Sequence, residues 1–150
     1  MTATRRDLVT GVVVAVIGVI YYIATFSIQE TTDIVTPRTF PAIVGDMLYV
    51  GTHDGEFLAV NWKKQEVTWR YSDPQKMQPY HASAAILGDR IVVGCQDKRV
   101  HCIDRKTGKR LWVFATRAQV NSSPVIAGNR VYFGSADRNI YAVELKSGKP

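Results

Sequence analysis

The sequence predicts an all-β fold, an incomplete β-propeller of about three four-stranded blades, preceded by one transmembrane α-helix. A pattern of strands and turns recurs about every forty residues from residue 45 onward, which is typical of repeat architectures. Ahead of it lies an uncharged stretch of 21 residues. A hydrophobic content of 46% with 21% charge argues against a disordered chain.

Residues 1–30 are predicted to form an N-terminal membrane anchor. The uncharged stretch, residues 8–28, is long enough as a helix to cross about 30 Å of hydrocarbon. Arg5 and Arg6 precede it and "QETTD" follows it, which predicts a cytoplasmic N-terminus in the inner membrane and a periplasmic remainder. A cleavable signal peptide is the alternative, and it gives the same location for the rest of the chain.

Three copies of the repeat begin at equivalent glycines. Gly45 and Gly88 are 43 residues apart and Gly88 and Gly128 are 40 apart, while Asp54, Asp97 and Asp137 keep the same offset within each copy. The spacing predicts blades over about residues 45–80, 81–120 and 121–150, the last one truncated. Residues 31–44 are left as a linker that includes the first strand.

Each copy is predicted to contain strand, turn, strand, turn and strand. "MLYVG", "RIVVG" and "RVYFG" are rich in β-branched and aromatic residues, and the turns "HDGE", "QDKR" and "ADRN" lead into the alternating segments "FLAVN", "VHCID" and "IYAVE". "EVTWRY" and "KRLWVF" supply an outer strand. "SAAIL" and "SSPVIA", ahead of the second and third copies, supply an inner one.

The basic charge belongs to the repeats. Residues 45–150 hold sixteen Lys and Arg against ten Asp and Glu, mostly in turns such as "RKTGKR". No helix or groove gathers these residues together with aromatic ones, so no nucleic-acid partner is expected. Weak attraction to anionic lipid is compatible with this charge.

The N-terminal 44 residues resemble a membrane-protein family. "RRDLVTGVVVAVIGVIYYIATFSI" followed by "TPRTFPAIVG" is similar to the start of TctB, the small membrane subunit of tripartite tricarboxylate transporters. The resemblance implies a turn at residues 37–41. The further membrane helices of that family have no counterpart, because no second apolar run of spanning length follows Gly45.

The repeats resemble the pyrroloquinoline-quinone (PQQ) type β-propeller family, which includes quinoprotein dehydrogenases and BamB-like assembly factors. "SSPVIAGNRVYFGSADRNIYAVELKSGK" and "IDRKTGKRLWVF" carry the resemblance over residues 45–150. It implies that Trp69 and Trp112, 43 residues apart, dock each blade onto its neighbour. The dehydrogenases commonly hold PQQ beside an adjacent Cys-Cys disulfide, with Ca²⁺ on acidic ligands. This chain contains no adjacent Cys pair, so no cofactor is predicted unless PQQ binds in a full-length protein.

Side chains at the start of the innermost strands are the candidate working surface. Arg38, His81 and Asn121 stand seven residues before the repeat glycines and are candidates for facing a central channel, where they could bind a peptide or a small ligand; the alternative is that they are polar because they meet water. No catalytic residue is predicted. No metal site is predicted either, because His53, His81 and His101 fall at different blade positions.

Cys95 and Cys102 flank the "QDKR" turn and could form a disulfide if they lie directly opposite each other. The alternative is that these positions favour small side chains. The other copies have small residues there, namely Thr52, Ala59, Ser135 and Ala142.

We therefore expect a membrane-anchored, extracytoplasmic propeller fragment that acts as a protein-interaction or assembly scaffold rather than as an enzyme. The alternatives are a fragment of a PQQ-dependent quinoprotein dehydrogenase and a TctB-like N-terminus fused to propeller blades. A further repeat of 40 residues after Trp112 would place the next Trp at position 152, so the chain is expected to be part of a longer propeller. Three blades cannot close a ring, and the open edges of the array are expected to bind missing blades or to self-associate.

Overall fold

The computed structural model describes residues 41–73 and 77–150. These residues form eleven β-strands in three antiparallel sheets and contain no helix. The prediction of an all-β array is confirmed for this part of the chain. The transmembrane helix predicted over residues 8–28 lies outside the described residues, and among the described residues no helix is long and apolar enough to cross a membrane.

Each sheet is a meander of strands that are consecutive in the chain. Blade I contains β1 (Ala42–Val44), β2 (Met47–Gly51), β3 (Glu56–Asn61) and β4 (Glu66–Ser72). Blade II contains β5 (Ala85–Leu87), β6 (Arg90–Cys95), β7 (Arg99–Asp104) and β8 (Arg110–Ala115). Blade III contains the three strands β9 (Val125–Ala127), β10 (Arg130–Gly134) and β11 (Ile140–Glu144).

The repeat extends to irregularities of the backbone. A β-bulge interrupts the pairing of the third and fourth strands between Ala59 and Val60 in blade I and between Cys102 and Ile103 in blade II. These are equivalent positions of the repeat. Because a bulge bends and twists its strand, the two sheets share one curvature and can stack face to face.

Two of the three core clusters lie between blades, and the third, Leu48, Val50, Leu58 and Val60, belongs to blade I alone. One cluster, the I–II cluster, joins residues of blade I and its connection, such as Phe57, Trp69 and Tyr80, to Ile91 and Val93 on one face of blade II. A second, the II–III cluster, joins the opposite face of blade II to blade III. It consists of Val92, Val100, Cys102, Trp112, Val120, Val131, Phe133 and Val143. Blade II is therefore buried on both faces, as its nearly continuous apolar strands require.

Connecting segments lie against the hairpin turns at one end of the blades. Tyr80 donates its backbone N–H to the carbonyl of Thr52 at 3.1 Å, and Val120 donates to the carbonyl of Cys95 at 3.1 Å. We call this end, formed by residues 52–55, 77–84, 96–98, 116–124 and 135–139, the connection end. The opposite end carries the other turns of each blade, including residues 105–109.

Candidate functional site at the junction of blades I and II

A tryptophan from each complete blade lies against a turn of the following one. Trp69 donates its indole N–H to the carbonyl of Arg105 at 3.0 Å, and Trp112 donates to the carbonyl of Leu145 at 2.9 Å. Both indoles are 9% exposed. The ring thus buries a large apolar area while its only polar atom is satisfied.

The turn that receives each indole contains a glycine. Gly108 and Gly148 have φ of +70°, and a Cβ added there would lie 2.7 Å and 2.6 Å from the rings of Trp69 and Trp112. Glycine is therefore required at both positions, for its backbone conformation and for the space that the indole occupies. The "TGK" and "SGK" words of the sequence are the receiving surfaces of these contacts.

A buried polar network lies above Trp69, at the connection end of the same junction. His101 is fully buried between Tyr71 of β4, whose hydroxyl is 2.8 Å from Nδ1, and Asp97, whose Oδ2 is 3.1 Å from Nε2. A neutral His101 satisfies both contacts if Nε2–H donates to Asp97 and the Tyr71 hydroxyl donates to Nδ1. The edge of the Tyr80 ring meets the imidazole at a centroid distance of 5.6 Å.

Arg99 ties this network to the end of blade I. Its Nη1 lies 2.9 Å from Oδ2 of Asp73, a carboxylate 7% exposed, and its Nε lies 3.9 Å from Oδ2 of Asp97. Arg110 stands 3.8 Å from the same Asp73 oxygen. One guanidinium therefore lies between carboxylates of two blades, which offsets the cost of burying them.

Blade III repeats this arrangement with different side chains. Asp137 is the counterpart of Asp97, and its Oδ2 accepts a hydrogen bond of 2.8 Å from the hydroxyl of Tyr141, the counterpart of His101. Phe114 packs edge-on against Tyr141 at 5.4 Å, as Tyr71 packs against His101 at 5.7 Å. Blades II and III therefore both pair this aspartate with the side chain four residues later, which is a histidine in blade II and a tyrosine in blade III.

Burial governs the protonation of the groups around the network. Desolvation raises the pKa of Tyr71 to about 12 and the pKa of the Cys95 thiol to about 12, and it raises the pKa of Tyr80 as well. Cys95 is accordingly a neutral thiol at pH 7, with its Sγ 3.3 Å from the carbonyl oxygen of Gln78. In this state the thiol is a hydrogen-bond donor and not a nucleophile.

Asp97 is expected to make stability depend on acidity. Burial disfavours its ionised form, but the hydrogen bond with His101 and the charge of Arg99 leave its pKa below the usual value. A carboxyl with a lowered folded-state pKa contributes stability that is present above about pH 4, the unfolded value, and is lost as the pH falls through the folded value. The stability gap between the wild type and Asp97→Asn should therefore narrow as the pH is lowered from 6 to 3, as measured by urea unfolding.

The exposed counterpart in blade I provides the control for that prediction. Asp54→Asn should leave stability within about 0.5 kcal/mol of the wild type at each pH. A gap for Asp97→Asn that stays constant across this pH range would contradict the assigned role of its carboxylate.

The residues predicted to face the channel are placed at the connection end. His81 precedes β5 and its ring meets that of His53 edge-on, at a centroid distance of 4.8 Å. Asn121 precedes β9 at the equivalent point of the next blade and is exposed. Arg38 lies outside the described residues. Whether a channel binds anything at these positions stays a prediction.

The disulfide considered between Cys95 and Cys102 is not formed, since both are free thiols. The hairpin register pairs Cys95 with Arg99 and Cys102 with Val92. The two side chains consequently point to opposite faces of blade II, Cys95 into the I–II cluster and Cys102 into the II–III cluster.

The structure brings together one group of side chains that the sequence analysis did not find. Potential ligand atoms of Cys95, Asp97 and His101 all lie within 4.8 Å of one another, and all three residues are buried. The sequence analysis compared the positions of the three histidines, and this comparison could not reveal the group because only one of its three potential ligands is a histidine. A signal was available: among the three copies of the repeat, only the second combines Cys, Asp and His at these offsets.

The comparisons with known proteins agree with the blade geometry. Residues 75–150 match the family described as outer membrane protein assembly factor BamB. Among solved structures, BamB from Moraxella catarrhalis superposes with a TM-score of 0.63 and 23% identity, over 71% of this chain and 33% of that one. No curated protein sequence matches the chain.

Two enzymes have the same local fold. A europium-containing methanol dehydrogenase gives a TM-score of 0.65 with 16% identity, over 79% of this chain and 25% of that one. The quinohemoprotein alcohol dehydrogenase ADHIIG from Pseudomonas putida HK5 gives 0.63 with 20% identity, over 78% and 21%. This chain therefore spans a third or less of the length of each of these three proteins.

Stacked antiparallel meanders, with Trp69 and Trp112 each packed on the following blade, are the architecture of PQQ-type β-propeller blades. The match over residues 75–150 carries the assignment further. The chain belongs to the family of the outer membrane protein assembly factor BamB. The TctB-like resemblance of residues 1–44 finds no support in the comparisons.

Proposed function

We propose that the chain is part of a membrane-anchored, extracytoplasmic scaffold that binds partner proteins during their assembly. The observation that carries this proposal is the match of residues 75–150 to a family described as an assembly factor. The anchor predicted at residues 8–28 supports the proposed location, because its flanking charges predict that the residues after it lie outside the cytoplasm.

The connection end is the surface we assign to partner binding. It carries the partly exposed His53 and His81 of the first junction and the exposed Asn121 of the second, on segments held by backbone hydrogen bonds to the turns. Polar side chains on rigidly supported loops are suited to bind a polypeptide with little loss of conformational entropy.

Photo-crosslinking of the natural full-length protein in cells tests this assignment. A photoreactive residue at Asn121 should give a discrete adduct with one envelope protein. The same probe at Lys109, an exposed residue at the opposite end of blade II, is the matched control and should give none. Equal adducts from both positions, or none from Asn121, would contradict the proposed surface.

A PQQ-dependent dehydrogenase is the second candidate, favoured by the structural similarity to two alcohol-oxidising enzymes. Titration of the full-length protein with PQQ and Ca²⁺, followed by absorbance, separates the two. Saturable binding at one equivalent favours the enzyme, whereas the scaffold predicts none.

An exposed apolar face of blade III supports the further proposal that additional blades, or a second copy, cover this blade. Ile140 in β11 is 84% exposed and Val125 in β9 is 61% exposed. The equivalents of Ile140 in the other blades, Phe57 and Val100, are 1% and 0% exposed because a neighbouring sheet and strand cover them. An apolar face of this kind favours association with another sheet.

A further inference from the structure

Blade II differs from its neighbours in the chemistry of one small cluster. At the position of Cys95 the other blades have Thr52 and Ser135, and at the position of His101 they have Leu58 and Tyr141. The aspartate between them is common to all three copies. Only blade II therefore combines a sulfur, a carboxylate and an imidazole nitrogen in one place.

The geometry of the cluster leaves the aspartate incompletely satisfied. Cys95, Asp97 and His101 are 1%, 5% and 0% exposed, and their potential ligand atoms lie within 4.8 Å of one another. Among the described residues, Oδ1 of Asp97 is the one buried side-chain oxygen or nitrogen without a hydrogen-bond partner. An unsatisfied carboxylate oxygen in a buried site is costly, and a cation is one of the groups that would satisfy it.

The contacts around His101 allow it to become a ligand. Its Nδ1 lies 2.8 Å from the hydroxyl of Tyr71, a group that can either donate or accept a hydrogen bond. If Nδ1 carries the proton and donates it to Tyr71, then Nε2 presents a lone pair toward Asp97. A ligand histidine whose second ring nitrogen donates to a fixed neighbour is the usual arrangement in metal sites.

We propose that Cys95, Asp97 and His101 bind one divalent transition-metal ion, for which Zn²⁺ is the best match. Thiolate, imidazole and carboxylate are its three usual protein ligands, and the mixed S, N and O set disfavours Ca²⁺ and Mg²⁺. Binding forms a metal–sulfur bond as the Cys95 thiol releases its proton to solvent. The carbonyl oxygens of Gln78 and Pro79, 3.3 Å and 3.5 Å from Sγ, place the connection from blade I beside the ion. The ion would therefore stabilise the I–II junction, and this role is independent of the proposed scaffold function.

Cobalt substitution tests the site, because a cysteine thiolate bound to Co²⁺ gives a charge-transfer band in the near ultraviolet. The full chain, refolded in detergent with one equivalent of Co²⁺, should show this band, and native mass spectrometry should show one ion. Cys95→Ala should abolish the band. Cys102→Ala is the matched control, since it removes the chain's only other thiol from the opposite face of the sheet and should leave the band intact.

A second variant separates loss of the site from loss of the fold. Cys95→Ser, His101→Tyr and Tyr71→Phe together give the I–II junction the side chains that the II–III junction has at these positions, namely Ser135, Tyr141 and Phe114, so this variant should keep the strand signal in circular dichroism and lose the band. Tyr71→Phe alone should weaken metal affinity about tenfold through the lost support of His101. Absence of the band in the wild type, its persistence in Cys95→Ala, or equal loss in Cys102→Ala would overturn the proposal.

Discussion

Trp69→Ala is expected to lower the free energy of unfolding by about 3–5 kcal/mol, the range for removing a large aromatic side chain from a packed core. The indole is 9% exposed, packs against the turn at Gly108 and donates its N–H to the carbonyl of Arg105. Its loss leaves a cavity between blades I and II and an acceptor without its donor. Urea unfolding of the full chain in detergent, followed by circular dichroism, measures the effect.

Trp62→Ala is the matched control for that prediction. Trp62 is partly exposed, and its N–H donates to the carbonyl of Gly45 within the same blade at 3.2 Å. It should lose about 1 kcal/mol or less, because no junction between blades depends on it. Similar losses for Trp62→Ala and Trp69→Ala would show that the junction contributes no particular stability.

Gly94→Ala is expected to destabilise the chain by about 3 kcal/mol through overpacking. A Cβ on Gly94 would lie 2.7 Å from both the carbonyl oxygen and Cγ1 of Val120. The backbone of Val120 cannot move away without loss of its hydrogen bond to Cys95. The measurement is urea unfolding, with the Co²⁺ band as a local reporter, since Cys95 follows directly.

The repeat supplies the control at Gly134, the counterpart of Gly94 in blade III. There the nearest atom to an added Cβ is Oγ of Ser122 at 3.7 Å, an ordinary contact. Gly134→Ala should be neutral or stabilising by about 0.5 kcal/mol, because alanine loses less backbone entropy on folding than glycine. If both substitutions cost the same, the close approach of Val120 is not what requires glycine at position 94.

The strands could be predicted because their pattern is local and repeated. β-Branched and aromatic residues followed by an Asp-containing turn recur at fixed offsets, and the structure places β2, β6 and β10 on those segments. The docking role of Trp69 and Trp112 was implied by the resemblance to PQQ-type blades, and both indoles contact the next blade in the structure. Strands and turns that recur at fixed offsets can be predicted without any knowledge of tertiary contacts.

The site depends on contacts that no local pattern encodes. Tyr71 from β4 meets His101 from β7, thirty residues later, only because blades I and II stack. The hairpin register determines that Cys95 and Cys102 cannot form a disulfide. The turn at residues 96–98 places Arg99 opposite Cys95, so the side chain of Cys102 lies on the other face of the sheet. A prediction that misjudges the register by one residue puts a side chain on the wrong face of the sheet, because alternate residues point to opposite sides of a strand.

The tryptophan contacts also give the blade array a direction. Each indole packs into a recess on the following blade, and the base of that recess is a glycine, Gly108 or Gly148. Blade I has Gln65 at that point of the repeat, with the same left-handed backbone at φ of +56° but with a side chain where an indole would rest. The indole of blade I therefore packs on blade II, but blade I has no glycine that could accept an indole in the same way. Any sheet that packs on the side of blade I away from blade II must be held by another kind of contact.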